Sequence, residues 1–220
     1  MSPHPLHRYF TEAVLDIYNC QFIFLTNSTF LDNTGSGISN YAYRGNTGAV
    51  AIGFNNVPAD ISFPNVLVSS CNFTNNSATA RSVFRTPSEA FSSQIFSGRG
   101  GALGVYINES FYNLSVEISD CRFERNFARS FGAGMYLLFN GFNTQHTIIV
   151  ERTYLISNMA GVGGGGIQLS YISNGIVGSP HMGNFTDCRF EGNRGDAGGG
   201  IYVYPSFTGK WNQLVDSPRT

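Results

Sequence analysis

A chain of 220 residues, 12% charged and 42% hydrophobic with a net charge of -1, is sized for one domain. Its charge content is about half the usual share, and low charge with ample hydrophobic content excludes a disordered chain. No polybasic field points to nucleic acid or an anionic membrane surface, and no apolar run approaches the ~18 residues of a membrane span.

Residues 1–12 read as an N-terminal flank. Met-Ser-Pro-His-Pro-Leu-His-Arg lacks an apolar stretch behind a basic start, so it is not a signal peptide. The expectation is a piece of a longer secreted or anchored protein, with a cytosolic protein as the alternative. The first patterned residues are Leu15 and Ile17, then Cys20-Gln-Phe22; Phe30-Leu-Asp-Asn33 offers a second frame for the same copy. The Cys20 frame is preferred, because Leu15 and Ile17 then stand five and three residues before the cysteine. Gly35 to Asn46 interrupts the pattern and carries Tyr41, Tyr43 and Arg44.

Ala49-Val50-Ala-Ile52 introduces a second phrase, a small residue followed by two apolar residues one position apart. It returns at Ala102-Leu103, Gly134-Met135, Gly166-Ile167 and Gly200-Ile201, and the later copies fix a unit of about 32 residues. Val66 and Val68 lead into Cys71-Asn-Phe73-Thr-Asn-Asn76. A second insertion, Thr79 to Gly98, holds Arg81 and Arg85 and runs up to Arg99. Cys121-Arg-Phe123-Glu-Arg-Asn126 and Cys188-Arg-Phe190-Glu-Gly-Asn193 are further copies, and Thr153-Tyr-Leu155-Ile-Ser-Asn158 is a degenerate one. Residues 205–220 lose the pattern and read as a tail or a truncated further coil.

Parity converts these phrases into a fold. The apolar pair lies at odd offsets from the cysteine, whereas Cys and Phe lie at even ones. One straight strand cannot point both sets inward, so the chain must bend just before the cysteine. Each unit then holds three short strands. The fold class is all-β, a right-handed parallel β-helix of about five coils spanning residues 13–204. Inward Phe123 is expected to cost about 3–5 kcal/mol on truncation to Ala. The Asn that ends each copy suits a left-handed corner and a bond to its stacked neighbours.

Phe-x-x-Asn paired with Gly-Gly-Ala-Ile-like phrases resembles the repeats of chlamydial polymorphic outer-membrane proteins and related eukaryotic β-helix surface proteins. More broadly the chain looks like the pectin-lyase-like superfamily over residues 13–204. The resemblance implies the β-helix. It leaves function among structural, adhesive and carbohydrate-active roles.

The candidate catalytic residues are Asp120, Arg152 and Asp187, in the column just before the cysteine. Two coils separate the carboxylates, about 10 Å by strand spacing, near the upper limit for an inverting pair. The competing reading is a surface charge ladder. Candidate binding residues are Tyr41, Tyr43, Arg44, Arg81, Arg85 and Arg99, since insertions on a rigid scaffold are where binding usually resides. Sequons at Asn27, Asn72, Asn75, Asn108, Asn113 and Asn184 are glycosylation candidates. The cysteines read as free buried thiols and Arg194-Gly-Asp196 as a tight corner. Gly161-Val-Gly163-Gly-Gly-Gly166 is glycine packing rather than a dinucleotide site. No cofactor or metal is expected, and the partners would be glycans or other surface proteins. The leading functional expectation is a non-catalytic extracellular or cell-surface module, structural, adhesive or glycan-binding. The alternative is a carbohydrate-active lyase or hydrolase.

Overall fold

Strands form where side chains alternate between the interior and water, and they end where a glycine or a left-handed residue turns the chain. The computed structural model describes residues 15–18, 20–35, 47–55, 65–79, 98–110, 114–141, 146–172, 182–205 and 212–215. Coil one contains β1 (Leu15–Tyr18), β2 (Phe22–Thr26), β3 (Thr29–Leu31) and β4 (Thr34–Gly35). Coil two contains β5 (Val50–Asn55), β6 (Asn65–Ser69), β7 (Asn72–Thr74) and β8 (Ser77–Ala78). Coil three contains β9 (Leu103–Ser110), β10 (Ser115–Ser119), β11 (Arg122–Glu124) and β12 (Phe127–Ala128). Coil four contains β13 (Met135–Gly141), β14 (Thr147–Glu151), β15 (Tyr154–Ile156) and β16 (Met159–Ala160). Coil five contains β17 (Ile167–Ile172), β18 (Met182–Thr186) and β19 (Arg189–Glu191). Two further strands, β20 (Ile201–Pro205) and β21 (Asn212–Val215), open a sixth turn.

Stacking these turns gives four parallel sheets. The first runs β1-β5-β9-β13-β17-β20 and the second β2-β6-β10-β14-β18-β21. The third runs β19-β15-β11-β7-β3 and the fourth β16-β12-β8-β4. The molecule is the expected right-handed parallel β-helix of about five coils. The two-residue strands of the fourth sheet are additional to the three-strand expectation, and they are too short to show a period in sequence.

The bend required before each cysteine is a single left-handed residue. Asn27, Ser70, Asp120, Arg152 and Asp187 take φ of 50°, 52°, 54°, 46° and 52°. A second left-handed column follows at Asp32, Asn75, Arg125, Ser157 and Gly192. The expected asparagine corner is therefore shifted by one residue. The residue before each asparagine turns the chain, and the asparagine itself goes inside.

Coil one also needs a correction. Thr26 pairs with Ser69 and Thr29 with Asn72, so Ser28, not Cys20, holds the cysteine position. Ile23 and Leu25 match Val66 and Val68. Leu15 and Ile17 instead pair with Val50 and Ile52 in the first sheet, and Cys20 is exposed. Ser28 can fill the column because it meets the same local requirement as the cysteines, a short side chain that donates to the carbonyl two residues back; register, not this bond, excludes Cys20, which makes it too. Ser28 Oγ does so at 2.9 Å, Cys71 Sγ at 3.2 Å, Cys121 Sγ at 3.1 Å, Thr153 Oγ1 at 2.8 Å and Cys188 Sγ at 3.4 Å. Serine, threonine and cysteine satisfy it alike.

Two interior columns bind the coils together. Phe30, Phe73 and Phe123 stack with centroids 4.9 and 4.7 Å apart. Beside them Asn33, Asn76, Asn126, Asn158 and Asn193 form a ladder. Each Nδ2 donates to the Oδ1 of the next, at 2.8, 3.0, 2.9 and 2.9 Å, and that Oδ1 also accepts the donor's own backbone N–H. From Asn76 onward Nδ2 also reaches back to the carbonyl of Phe30, Phe73, Phe123 and Leu155 in turn. Fully bonded amides can be sealed from water at little cost, whereas unbonded ones cannot.

Candidate functional site

The column carrying the catalytic candidates is positioned by the ends of β10, β14 and β18. Asp120 N–H donates to Glu151 O and Arg152 N–H to Thr186 O, which keeps the three candidates in register on successive coils. Arg152 grips Asp120 with both arms of its guanidinium, Nε to Oδ1 at 2.7 Å and Nη2 to Oδ2 at 2.9 Å. Its remaining Nη1 donates to Glu151 Oε2 at 2.9 Å. The side chains of Arg152 and Asp120 are 52% and 46% exposed, so this is an ion pair in water rather than a cleft.

That geometry limits the chemistry. The Arg152 hydrogen bonds hold the Asp120 carboxyl below its ordinary range, and the same bonds raise Arg152. A carboxylate so held is ionised at neutral pH and has no proton to give a leaving group. An inverting pair needs one carboxylic acid with a raised pKa. Asp187 is exposed, and the ion pairs of Arg152 are with Asp120 and Glu151 among the described residues.

Of the six binding candidates, Tyr41, Tyr43, Arg44, Arg81 and Arg85 lie outside the described residues. Arg99 is described, and it is fully buried rather than presented to a partner. Its guanidinium carbon sits 5.1 Å from the Tyr136 ring centroid and 5.8 Å from that of Phe131. Its carbonyl accepts the Tyr106 hydroxyl at 3.2 Å, and that hydroxyl lies 2.8 Å from Thr47 Oγ1. Burial pushes the Tyr106 phenol up. The cluster covers the outer face of the first sheet, where Ala51, Leu138, Gln168 and Ser170 are also buried. Gln168 accepts the Gly164 N–H at 3.0 Å and donates to Ser170 Oγ at 3.1 Å. Outward parity normally means water; here it means a second, polar-aromatic core, which sequence reasoning missed. The one available signal was a set of tyrosines, Tyr106, Tyr136, Tyr202 and Tyr204, at outward positions of the glycine-phrase strands.

Among the sequons, Asn27 and Asn75 sit exposed at left-handed corners, and Asn184 is exposed on β18. Asn72 is half-buried. The sequon hydroxyls of Thr74 and Thr186 donate to Asn72 and Asn184 Oδ1 at 3.0 and 3.1 Å. Asn75 accepts Arg125 Nε at 3.1 Å. Asn108 belongs to β9, and Asn113 lies outside the described residues.

Cys71, Cys121 and Cys188 are buried and free, as expected. Cys71 N–H donates to Cys121 Sγ at 3.4 Å. The hydrogen bond between the two side chains pushes Cys121 up and draws Cys71 down, while burial opposes the charged form of both. Burial raises Cys188 as well. The Arg194-Gly-Asp196 corner packs on the preceding coil, where a Cβ at Gly195 would collide with the Gly163 carbonyl.

Among the described residues no three His, Cys, Asp or Glu side chains gather as a metal ion would require, and no helix is long and apolar enough to cross a membrane. Phe22 and Phe24 stand 54% and 67% exposed on the outer face of β2, so Phe22 does not take the inward phenylalanine position that the Cys20 frame expects. No family model, no curated protein and no solved structure matches the chain.

Proposed function

We propose that the chain is a non-catalytic β-helix module of an extracellular or cell-surface protein, acting as a rigid spacer or adhesion surface. The observation that supports this most directly is the clamp on Asp120. The column of Asp120, Arg152 and Asp187 holds its central carboxylate ionised, paired and half in water. The remaining chemistry of the described coils is committed to stacking: amide ladder, ring stack and corner hydroxyls or thiols. The sequons at exposed corners and the resemblance to surface β-helix repeats favour a location outside the cell, with glycans or other surface proteins as partners.

The competing reading is a lyase or hydrolase of the pectin-lyase-like kind, for which the shared register of Asp120, Arg152 and Asp187 is the supporting feature. Incubation with neutral and acidic polysaccharides, following new reducing ends and the absorbance of unsaturated uronides, separates the two. The spacer reading expects no turnover. Turnover that Asp120→Asn abolishes would overturn it.

A further inference from the structure

Because the coils repeat, equivalent surface positions can be compared from one coil to the next. On the outer face of the third sheet, Tyr154 is in register with Arg122 on one side and Arg189 on the other, and Ile156 with Glu124 and Glu191. Coils three and five thus show water charged residues where coil four shows it apolar ones. The apolar run continues round coil four beyond the third sheet. Tyr154, Met159 and Val162 are 45%, 48% and 42% exposed, and Ile156 is half-buried. The backbone does not ask for this at Tyr154 and Ile156, since Arg and Glu fill the same positions one coil away. An exposed apolar patch rimmed by polar residues is the form an interaction site takes.

The result is an apolar stripe lying between two charged walls. Arg122 Nε donates to Glu124 Oε2 at 2.7 Å, and Nη2 of the same guanidinium reaches that oxygen. Arg189 pairs with Glu191 through Nη2 and Oε2. Each guanidinium is therefore neutralised by the carboxylate two residues on, and each wall presents donors and acceptors side by side. Arg122, Arg189 and Glu191 are about half exposed, so these groups remain within reach of a ligand. The walls stand two coils apart, about 10 Å, which is room for one ring with a hydrogen bond of about 2.8 Å to either side.

We infer that this stripe is the binding site for a neutral glycan chain. The inference rests on the reading of the molecule as a non-catalytic surface module and gives that module its ligand class. A pyranose ring is an amphipathic disc, with C–H groups on its faces and hydroxyls round its rim. Its face covers Tyr154 and Ile156, while rim hydroxyls donate to Glu124 and Glu191 and accept from Arg122 and Arg189. A hydroxyl is suited to such mixed walls because it both donates and accepts. An apolar floor with a few placed polar groups is the usual make-up of a small-ligand site. Charge sets the choice of ligand. A carboxylated or sulfated chain would bring its anions up against Glu124 and Glu191, and that repulsion selects against it.

The test uses the full chain and the neutral probes cellohexaose, mannohexaose and N-acetylchitohexaose, with hexagalacturonate as the charged one. Amide signals are followed by NMR as each is added. The expected result is that a neutral hexaose moves the Tyr154, Arg122 and Arg189 signals and leaves β2 and β6 in place. Tyr154→Ala should weaken that binding about tenfold, and Tyr154→Phe should keep most of it. Arg189→Ala, a change on the exposed wall, should weaken it as well without touching the interior. Unmoved signals with every neutral hexaose, or tighter binding of hexagalacturonate, overturns the inference. So do Tyr154 shifts on concentrating the protein alone, which would place a second copy on the stripe. The titrated hexaose is then recovered and sized. Cleavage would overturn the non-catalytic reading on which the inference rests, whereas lack of binding leaves that reading standing.

Discussion

Cys121 shows how much one small side chain does in this molecule. Its Sγ donates to the Ser119 carbonyl at 3.1 Å and accepts the Cys71 N–H at 3.4 Å, so it closes a corner and ties two coils together. Thr153 does both jobs with oxygen, donating to Glu151 O and accepting the Cys121 N–H. Cys121→Ala removes both bonds and leaves a buried N–H without an acceptor, at a cost of about 1–3 kcal/mol. Cys121→Thr keeps them and should cost less than half as much in the same urea titration. Equal losses would show that sulfur packing, not hydrogen bonding, selects the column. The Asp120–Arg152 pair gives a pH prediction of definite sign. Its folded-state pKa is lowered, so its contribution is present above the ordinary carboxylate value of about 3.9 and is lost as pH falls through the lower folded value. The difference in Tm between wild type and Asp120→Asn should shrink on acidification across that window. Both partners are about half exposed, so added salt should reduce it at any pH.

At the scale of elements, the third sheet carries the steepest packing energetics. Phe123 lies between Phe73 and Leu155 with no exposed surface, and Phe123→Ala should destabilise by about 3–5 kcal/mol. Phe30 occupies the same column at the end of the stack and is only half-buried. Its truncation should cost clearly less, measured by the shift of the denaturation midpoint at constant slope. The three-strand unit was legible in the sequence because parity is a hard constraint: apolar residues at odd and even offsets from Cys71 cannot share a straight strand. The bend this demanded is the left-handed column of Ser70, Asp120, Arg152 and Asp187. In coil one cysteine is a false marker, because the column asks only for a short donor and Ser28 supplies it. The Arg99–Tyr136 cluster was illegible for a different reason. Outward parity cannot reveal that a sheet face is buried by something other than the coil interior. For the catalytic column, sequence gave the alignment of Asp120 with Arg152 but not the two-armed grip that decides its protonation.

For the whole molecule, neighbour contacts are the organising fact. Every described sheet pairing joins strands of consecutive coils, so stability is close to a sum of coil terms and interface terms. Amide protection should therefore rise from coil one to coils three and four and fall again through coil five. Hydrogen exchange of Val68, Ile118, Val150 and Phe185, equivalent residues of the second sheet, provides the readout. A single uniform protection level across all four would mean that the coils unfold together as one unit.

The unequal lengths of the excursions between first-sheet strands carry a kinetic consequence. Val50 pairs with Leu103, 53 positions on, whereas Leu103 to Met135 and Met135 to Ile167 are each 32. Closing the longer loop costs about 0.4 kcal/mol more in chain entropy, before any insertion has been ordered. The first interface to form is then one of the shorter closures rather than the one between coils two and three. Each later coil zips onto an edge that already exists, repeating a closure of similar size. The barrier belongs to that first pair, and lengthening the solenoid adds turns without raising it.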